Sequence, residues 1–312
     1  MDAASLLKNS IITLKRNDPL ILASATSFFA TFSLSPVLVI LINLLGVYFK
    51  NEAIRGQLLG KLEGMLGPET SEYVEGVVVN VSTANTDWLI AIAGFLFLLF
   101  VVTTLLKVVR QAMHKIWNIK RKHVSHLKYN FKERSMAVAV ILVTGVLVAI
   151  SALMDTSLAL LRNYLSDTLP TTQIFLVRSL NLLFSLIVST MWFSVLFKIL
   201  PDAKVHWRVA FAGGVVTAVL FSAGKWILGK LLLYNTIADI FGPSASFVLI
   251  LLFIFYSSLI LYFGAAFTFN FASAIGMPIH AGKYSETYEV RSIEDDDDNP
   301  SSEKEDDPRV EP

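Results

Sequence analysis

The sequence predicts an all-α, polytopic membrane protein with six transmembrane helices, a kinked first helix and both termini in the cytoplasm. Its 312 residues are 54% hydrophobic and only 16% charged, and the mean hydropathy is +0.60, outside the range of soluble domains. Six apolar runs are long enough to cross a hydrocarbon core of about 30 Å. Lysine and arginine are concentrated in alternate connecting segments. These three observations define the predicted fold class.

The six apolar runs occupy residues 20–49, 87–108, 135–157, 174–197, 209–233 and 245–273. The first and the last exceed what a perpendicular helix needs, so we expect each to tilt, bend or extend beyond the bilayer. The first run is too long for a signal peptide and lacks a small-residue cleavage site after it. We therefore expect it to remain in the membrane as a signal-anchor.

Hydroxyls and a proline interrupt the first run, at Thr31, Ser33, Ser35 and Pro36. Proline within a helix frees the carbonyl four residues earlier and kinks the axis. Such a break is tolerated at membrane depth where hydroxyls, neighbouring helices or water satisfy the freed groups. We predict that these hydroxyls do so and that the break faces the bundle or a wet cavity, as in transporter binding sites. A purely structural kink is the alternative, since proline is frequent in membrane helices.

The segment 51–86 is the long loop on the outer side. Apolar residues recur at helical spacing in its first half, which predicts an amphipathic helix on the outer membrane face. Pro68 and Glu69 mark the start of a second short helix. A packed lid without a binding role is the alternative interpretation of this amphipathic pattern.

Charge sets the orientation. The segments 1–19, 107–134 and 198–208 hold 15 lysines and arginines, whereas the segments between the other span ends hold four. By the positive-inside rule, the first set is cytoplasmic.

The inner segment 107–134 mixes cations with Trp117, Tyr129 and Phe131. A nucleic-acid patch is one interpretation of this mixture. We favour contact with anionic headgroups of the inner leaflet, which attract each cation by about 1 kcal/mol. Membrane lipids are therefore the expected partner, and nucleic acid is not.

The charge distribution divides the chain in two. Residues 1–282, the predicted transmembrane domain, hold 22 basic and 13 acidic residues, whereas residues 283–312 hold 4 and 12. The second segment has little apolar content from Ile293 onward. We therefore predict an acidic, disordered cytoplasmic tail.

The fifth run carries small residues at i, i+4 spacing, which lets a neighbouring helix approach closely. They are Ala210, Gly214, Ala218 and Ser222. Glycines at 213, 214, 224 and 229 would also allow this helix to slide or bend, although close packing alone explains small residues equally well.

Ionisable groups within membrane spans are costly and mark candidate functional sites. By the predicted topology they lie in the outer half of the membrane: Asp155, Arg178, Lys225 and Lys230, with Asn181 and Ser185 on the turns after Arg178. Lys230 is near enough to the interface to snorkel, and an Asp155–Arg178 pair is an alternative helix clamp. One acid among three bases leaves excess positive charge, which suits an anionic headgroup or solute.

Three stretches carry a resemblance to a known family. SFFATFSLSPVL in the first run, LFSAGK in the fifth and YFGAAFT in the sixth resemble the YihY/virulence factor BrkB family, formerly called the ribonuclease BN family, over residues 10–276. The resemblance implies a bacterial inner-membrane protein with six spans and cytoplasmic ends, linked to serum resistance and to proposed lipid export. Many relatives carry an acidic residue at Ala266, and Pro243 is inserted before the last span. Ion coupling through a carboxylate at 266 is therefore not expected.

Several activities are excluded by residues. The chain has no cysteine, so disulfides, thiolate metal sites and cysteine nucleophiles are ruled out. The five histidines lack neighbouring carboxylates in a metal-ligand pattern, which excludes a metal-dependent nuclease, and no P-loop occurs. We expect no enzyme activity, no metal and no cofactor.

The predicted function is that of an inner-membrane transporter or flippase-like protein for an amphipathic anionic substrate, such as a lipid. Its substrate path would include Arg178, Lys225, Lys230, Asp155, Asn181, Ser33, Ser35 and Pro36. The alternative is a non-transporting membrane scaffold that assists envelope assembly.

Overall fold

The computed structural model describes residues 3–48, 88–122, 172–233 and 245–288, with separate residues between 136 and 157. This part of the chain is mostly helical. Its helices are α1 (Ala3–Lys15), α2 (Pro19–Tyr48), α3 (Trp88–Ile116), α4 (Thr172–Ile199), α5 (Trp207–Leu233) and α6 (Ala245–Ala274). Its strands are β1 (Ile119–Arg121), β2 (Ala203–Lys204), β3 (His280–Ala281) and β4 (Ser285–Thr287). The predicted outer loop 51–86 lies outside the described residues.

Three helices contain stretches long and apolar enough to cross a membrane. These stretches are Ser179–Ile199, Trp207–Ile227 and Ile250–Ala274. A shorter apolar stretch, Pro19–Ser33, lies in α2, and the described residues between 136 and 157 are helical where the third span is predicted. The predicted membrane class is thus supported, while the count of six spans and their direction stay predictions.

The outward faces of the helices carry large apolar side chains, which is the pattern of a surface that meets lipid. Leu182 is 69% exposed, and Trp207 and Trp226 are 57% and 62% exposed. At 1.5 Å per residue, the two tryptophans lie about 28 Å apart along α5. This spacing matches the hydrocarbon thickness, and tryptophan favours both membrane interfaces. We therefore use Trp207 and Trp226 as markers of the two interfaces.

Small residues bring α5 close to both of its neighbours. Ala210 and Ala218 are fully buried, and a Cβ added at Gly214 would lie 2.2 Å from Ser194 Oγ of α4. On the α6 side, a Cβ at Gly224 would lie 1.8 Å from Tyr256. The close packing predicted from the small residues of the fifth run is therefore confirmed.

Four short strands close one end of the bundle. β1 pairs antiparallel with β4, with Lys120 opposite Glu286, and β2 pairs antiparallel with β3, with Lys204 opposite His280. We call the segment 277–288, which supplies β3 and β4, the strand clasp. Because β4 begins at Ser285, the folded part of the chain extends past the boundary predicted at residue 283, as far as Tyr288. Residues 289–312 of the predicted tail lie outside the described residues.

Candidate functional site

Lys225 presents its ammonium group at the surface where α5 meets α4. Its Nζ lies 3.4 Å from Ser185 Oγ of α4 and 5.2 Å from the ring centroid of Phe221. Phe221 is one helical turn earlier on α5, so the two side chains share a face, and a cation over an aromatic ring is electrostatically favourable. We call Lys225, Ser185 and Phe221 the outer cation site.

The surface around this site is exposed and largely apolar. The residue Lys225 is exposed, and the next two residues on α5, Trp226 and Ile227, are 62% and 50% exposed. Among the residues that the structure describes, no carboxylate lies within ion-pair distance of its Nζ. An ammonium has three donors, and the Ser185 hydroxyl occupies one of them. Among the described residues, no further hydrogen-bond acceptor is recorded for this ammonium group.

The other residues of the predicted cation cluster are only partly described. Arg178 belongs to α4 and Lys230 to α5, but their side chains and the whole of Asp155 lie outside the described residues. Asn181 is exposed on α4, one turn before Ser185. Arg178, Asn181 and Ser185 share one face by helical spacing. The pairing of Asp155 with Arg178 stays a prediction.

Two of the three hydroxyls before Pro36, those of Thr31 and Ser33, make hydrogen bonds other than the predicted ones. Ser33 is buried, and its Oγ donates to Ala30 O at 2.7 Å. Thr31 Oγ1 donates to Ser27 O at 2.8 Å. Each hydroxyl therefore caps a carbonyl other than the one that proline frees, that of Phe32. The backbone of α2 is helical through Pro36, and the side chains of Ser35 and Pro36 lie outside the described part.

The contact between α5 and α6 is filled by two reciprocal glycine–threonine pairs. A Cβ at Gly213 would lie 1.9 Å from Thr268 Oγ1, and a Cβ at Gly264 would lie 1.9 Å from Thr217 Oγ1. Both threonines are fully buried. Thr217 donates to Gly213 O at 2.7 Å and Thr268 to Gly264 O at 2.6 Å. Each hydroxyl thus donates a hydrogen bond to a carbonyl of its own helix, while the side chain packs against the glycine of the other helix. Since residue numbers fall along α6 as they rise along α5, from the pair at 213 and 268 to the pair at 217 and 264, the two helices run antiparallel.

A second polar cluster, which the sequence did not predict, lies beneath the strand clasp. Asp202 follows α4 and is 5% exposed. Its Oδ2 accepts hydrogen bonds from Tyr284 N at 3.0 Å and from Ser285 Oγ at 2.9 Å. A Cβ at Gly282 would lie 2.4 Å from Asp202 Oδ1, so only glycine fits there. The sequence offered one indication of this contact, since Asp202 is the single acid in the otherwise basic segment 198–208.

α3 continues beyond the predicted span 87–108 and reaches the same cluster. Arg110 Nε donates to Leu200 O at 2.8 Å, and His114 Nε2 accepts from Asp202 N at 3.0 Å. The pKa of His114 is lowered to about 4, chiefly by burial and also by the nearby Arg110 charge, while Asp202 acts in the opposite direction. Neutral imidazole is the form that can accept the Asp202 N–H. The cluster ties α3, the α4–α5 turn and the strand clasp together.

The position of Trp117 differs from the lipid contact predicted for the inner segment 107–134. It was predicted to contact lipid, but it is fully buried, and its Nε1 donates to Ala265 O of α6 at 2.9 Å. A buried indole N–H needs such a partner. Residues 123–134, with Tyr129 and Phe131, lie outside the described part, so lipid contact there stays a prediction. Among the described residues, no group of acids and histidines is arranged to hold a metal ion.

Comparison with known proteins places the chain in a family. The family model for virulence factor BrkB matches residues 12–282, most of the chain. This protein therefore belongs to the virulence factor BrkB family of membrane proteins, as the FSLSP, LFSAGK and YFGAAFT segments predicted.

The curated relatives carry the name UPF0761 membrane protein. One from Pseudomonas aeruginosa is 27% identical over 257 residues, which cover 81% of this chain and 59% of the relative. One from Saccharophagus degradans is 24% identical over 276 residues, which cover 87% and 60%. The chain thus spans about three fifths of the length of these relatives. No solved structure matches the chain.

Proposed function

We propose that the protein moves an amphipathic anionic molecule, a phospholipid or one of similar charge, across the bacterial inner membrane. The observation that carries this proposal is the outer cation site. There a lysine on an apolar helix is exposed beside lipid-facing residues, with a hydroxyl and an aromatic ring as its described neighbours. A cation in such a position is costly unless hydrated or paired, and an anionic headgroup would pair with it.

The substrate enters from the side, along the surface where α4 meets α5. The fully buried threonines between α5 and α6 favour this route over one through the middle of these helices. A molecule with acyl chains can leave those chains in the bilayer while its headgroup follows the polar residues. On α4 these are Asn181, Ser185 and Arg178, and on α5 they are Lys225 and Lys230.

The test is the translocation rate of fluorescent phosphatidylglycerol in reconstituted vesicles, with phosphatidylcholine as the uncharged comparison. Lys225→Gln is expected to slow the anionic lipid about tenfold, the equivalent of about 1.4 kcal/mol. Lys225→Arg keeps the charge and is expected to retain most of the rate. Lys107→Gln, which removes an exposed cation from α3, is the matched control and leaves the rate unchanged. Equal rates for Lys225→Gln and wild type at equal protein content would refute the proposed role of this residue.

A scaffold that assists envelope assembly is the second candidate. The closely packed contacts of α5 with α4 and α6 favour it, because a rigid block suits a platform for partners. The two functions separate in the same vesicles. A scaffold leaves lipid translocation at the level of empty vesicles, and its cellular phenotype follows deletion of residues 51–86 or 289–312 while Lys225→Gln is silent.

A further inference from the structure

α1 lies against the bundle with one face and leaves an apolar flank uncovered. Leu6 and Ser10 are buried, and Asn270 Nδ2 of α6 donates to Thr13 Oγ1 at 3.0 Å. Leu7 and Ile11, one turn apart and next to this buried face, are 44% and 45% exposed. In water, this flank would remain unfavourably solvated.

α1 contacts α6 near the expected boundary between headgroups and acyl chains. Gly213 of α5 packs against Thr268 of α6, and the two helices are antiparallel. Asn270 therefore lies about level with Phe211, one turn nearer the bilayer centre than the interface marker Trp207. Phe211 is itself 55% exposed, as expected for a side chain among acyl chains. The α1 segment at Thr13 is thus held at the boundary between headgroups and acyl chains.

Cations follow next around α1. Lys8 and Lys15, seven residues apart, form an exposed strip beside Ile11. Ile12, 44% exposed, and Arg16 lie beyond the strip. The apolar flank and the adjacent lysines are therefore arranged as in a helix that lies in the plane of a membrane surface, where lysine stems run along apolar surface and ammonium groups reach the headgroups.

The segment 3–18 has a net positive charge, with three cations and one acid. Within residues 3–18 the only acid is Asp18, and its Oδ2 lies 3.1 Å from Lys115 Nζ of α3. The membrane-facing surface resumes directly after it, because Leu20 and Ile21 at the start of α2 are 62% and 68% exposed. Lys8, Lys15 and Arg16 are exposed, so their charges are free to attract anionic groups at the membrane surface.

We propose that α1 is an in-plane membrane helix that binds anionic phospholipids of the cytoplasmic leaflet. Leu7 and Ile11 enter the acyl region, and Lys8, Lys15 and Arg16 contact the headgroups. The proposal stands apart from transport, since a scaffold would need such an anchor equally.

Because the chain contains no cysteine, a single introduced cysteine can be labelled without reaction elsewhere in the protein. A nitroxide label is attached to Ile11→Cys, or to Asn9→Cys on the opposite side of α1, in the full-length protein reconstituted in vesicles. Collision rates with oxygen and with a water-soluble nickel chelate report immersion. In phosphatidylglycerol-containing vesicles the label at 11 is expected to favour oxygen, and the label at 9 to favour nickel.

Removal of the charges tests the lipid class. The variant Lys8→Gln/Lys15→Gln/Arg16→Gln is expected to shift the label at 11 toward water and to abolish the difference between phosphatidylglycerol and phosphatidylcholine vesicles. Lys283→Gln, an exposed cation of the strand clasp, is the matched control and leaves both unchanged. A label at 11 that is water-exposed in every lipid, or equally immersed with and without phosphatidylglycerol, would overturn the proposal.

Discussion

At the scale of residues, hydrogen bonds between buried polar groups join α3, the α4–α5 turn and the strand clasp at one end of the bundle. Asp202 accepts hydrogen bonds from the strand clasp through its carboxylate and donates its own N–H to His114. A buried polar atom left without its partner costs about 1–3 kcal/mol. The contacts around Asp202 are therefore mutually dependent, and the protonation of His114 can disturb them.

We predict that the stability of the protein falls as the pH falls from about 6.5 to about 4. The unfolded chain protonates His114 near 6.5 and the folded chain near 4, so the unfolded state binds more protons in this window. The loss attributable to this residue approaches about 3 kcal/mol. Thermal unfolding in detergent at pH 7.5 and 4.5 measures it.

The comparison variant for this prediction is His114→Gln, whose amide oxygen can still accept the Asp202 N–H but does not titrate in this range. It should lose less stability than wild type between the two pH values. An identical loss in both proteins would show that His114 does not carry the effect.

Residue contacts within one helix were predictable from the sequence, whereas contacts between helices were not. Phe221 and Lys225 are four residues apart, so their contact on one face of a helix can be predicted from the sequence. The contact between Lys225 and Ser185 depends on how α4 is rotated about its axis relative to α5. The apolar runs of the sequence do not determine this rotation. Trp117 was misjudged for the same reason, because its burial depends on α6 passing over the end of α3.

At the scale of elements, the reciprocal glycine–threonine pairs fix the register of α5 against α6. Each threonine hydroxyl donates within its own helix, so the contact between the helices depends on shape. Association of helices in lipid relies on such packing, since lipid chains are as apolar as leucine. This interface resists sliding, and motion of α5, if transport requires it, would take α6 with it.

Gly264→Ala is expected to destabilise the protein by about 1–3 kcal/mol, because its methyl group would overlap Thr217 Oγ1 and the interior has no room to relax. A lower unfolding temperature in detergent is the readout. Gly145→Ala, at a helical glycine with nothing within 4 Å of the added Cβ, is the matched control and should be neutral. Adding Thr217→Ala to Gly264→Ala should restore part of the loss, and no recovery would contradict the packing account.

The helices were largely predictable and the strands were not. The apolar runs place α4, α5 and α6 close to their observed bounds, because hydrophobicity and span length set both. α3 extends past its run, since Val109, Met113 and Ile116 are buried at the clasp end. The strands are two or three residues long and pair across long chain separations, so local sequence carries little signal for them.

At the scale of the whole molecule, charge divides the bundle into two ends. Among described residues, Arg178, Lys225 and Lys230 are the lysines and arginines toward the end of Trp226, and the others lie in the half that bears the strand clasp. By the positive-inside rule, we therefore expect the clasp to lie in the cytoplasm, which stays a prediction. Membership of the BrkB family agrees with a membrane location.

This orientation predicts the labelling pattern of single cysteines in intact cells. Asn181→Cys, exposed on α4, should react with a membrane-impermeant maleimide added outside the inner membrane. Lys120→Cys, on β1, should react only after the membrane is permeabilised. The reverse pattern would invert the topology and place the outer cation site on the cytoplasmic side.

The central claim is that this protein carries an anionic lipid across a bilayer. The most direct measurement is the rate at which fluorescent phosphatidylglycerol becomes protected from, or exposed to, a membrane-impermeant quencher in vesicles with and without the purified full-length chain. We predict translocation that rises with the number of protein molecules per vesicle and is faster for phosphatidylglycerol than for phosphatidylcholine. Rates equal to those of empty vesicles for both lipids, with folded protein present, would contradict the account.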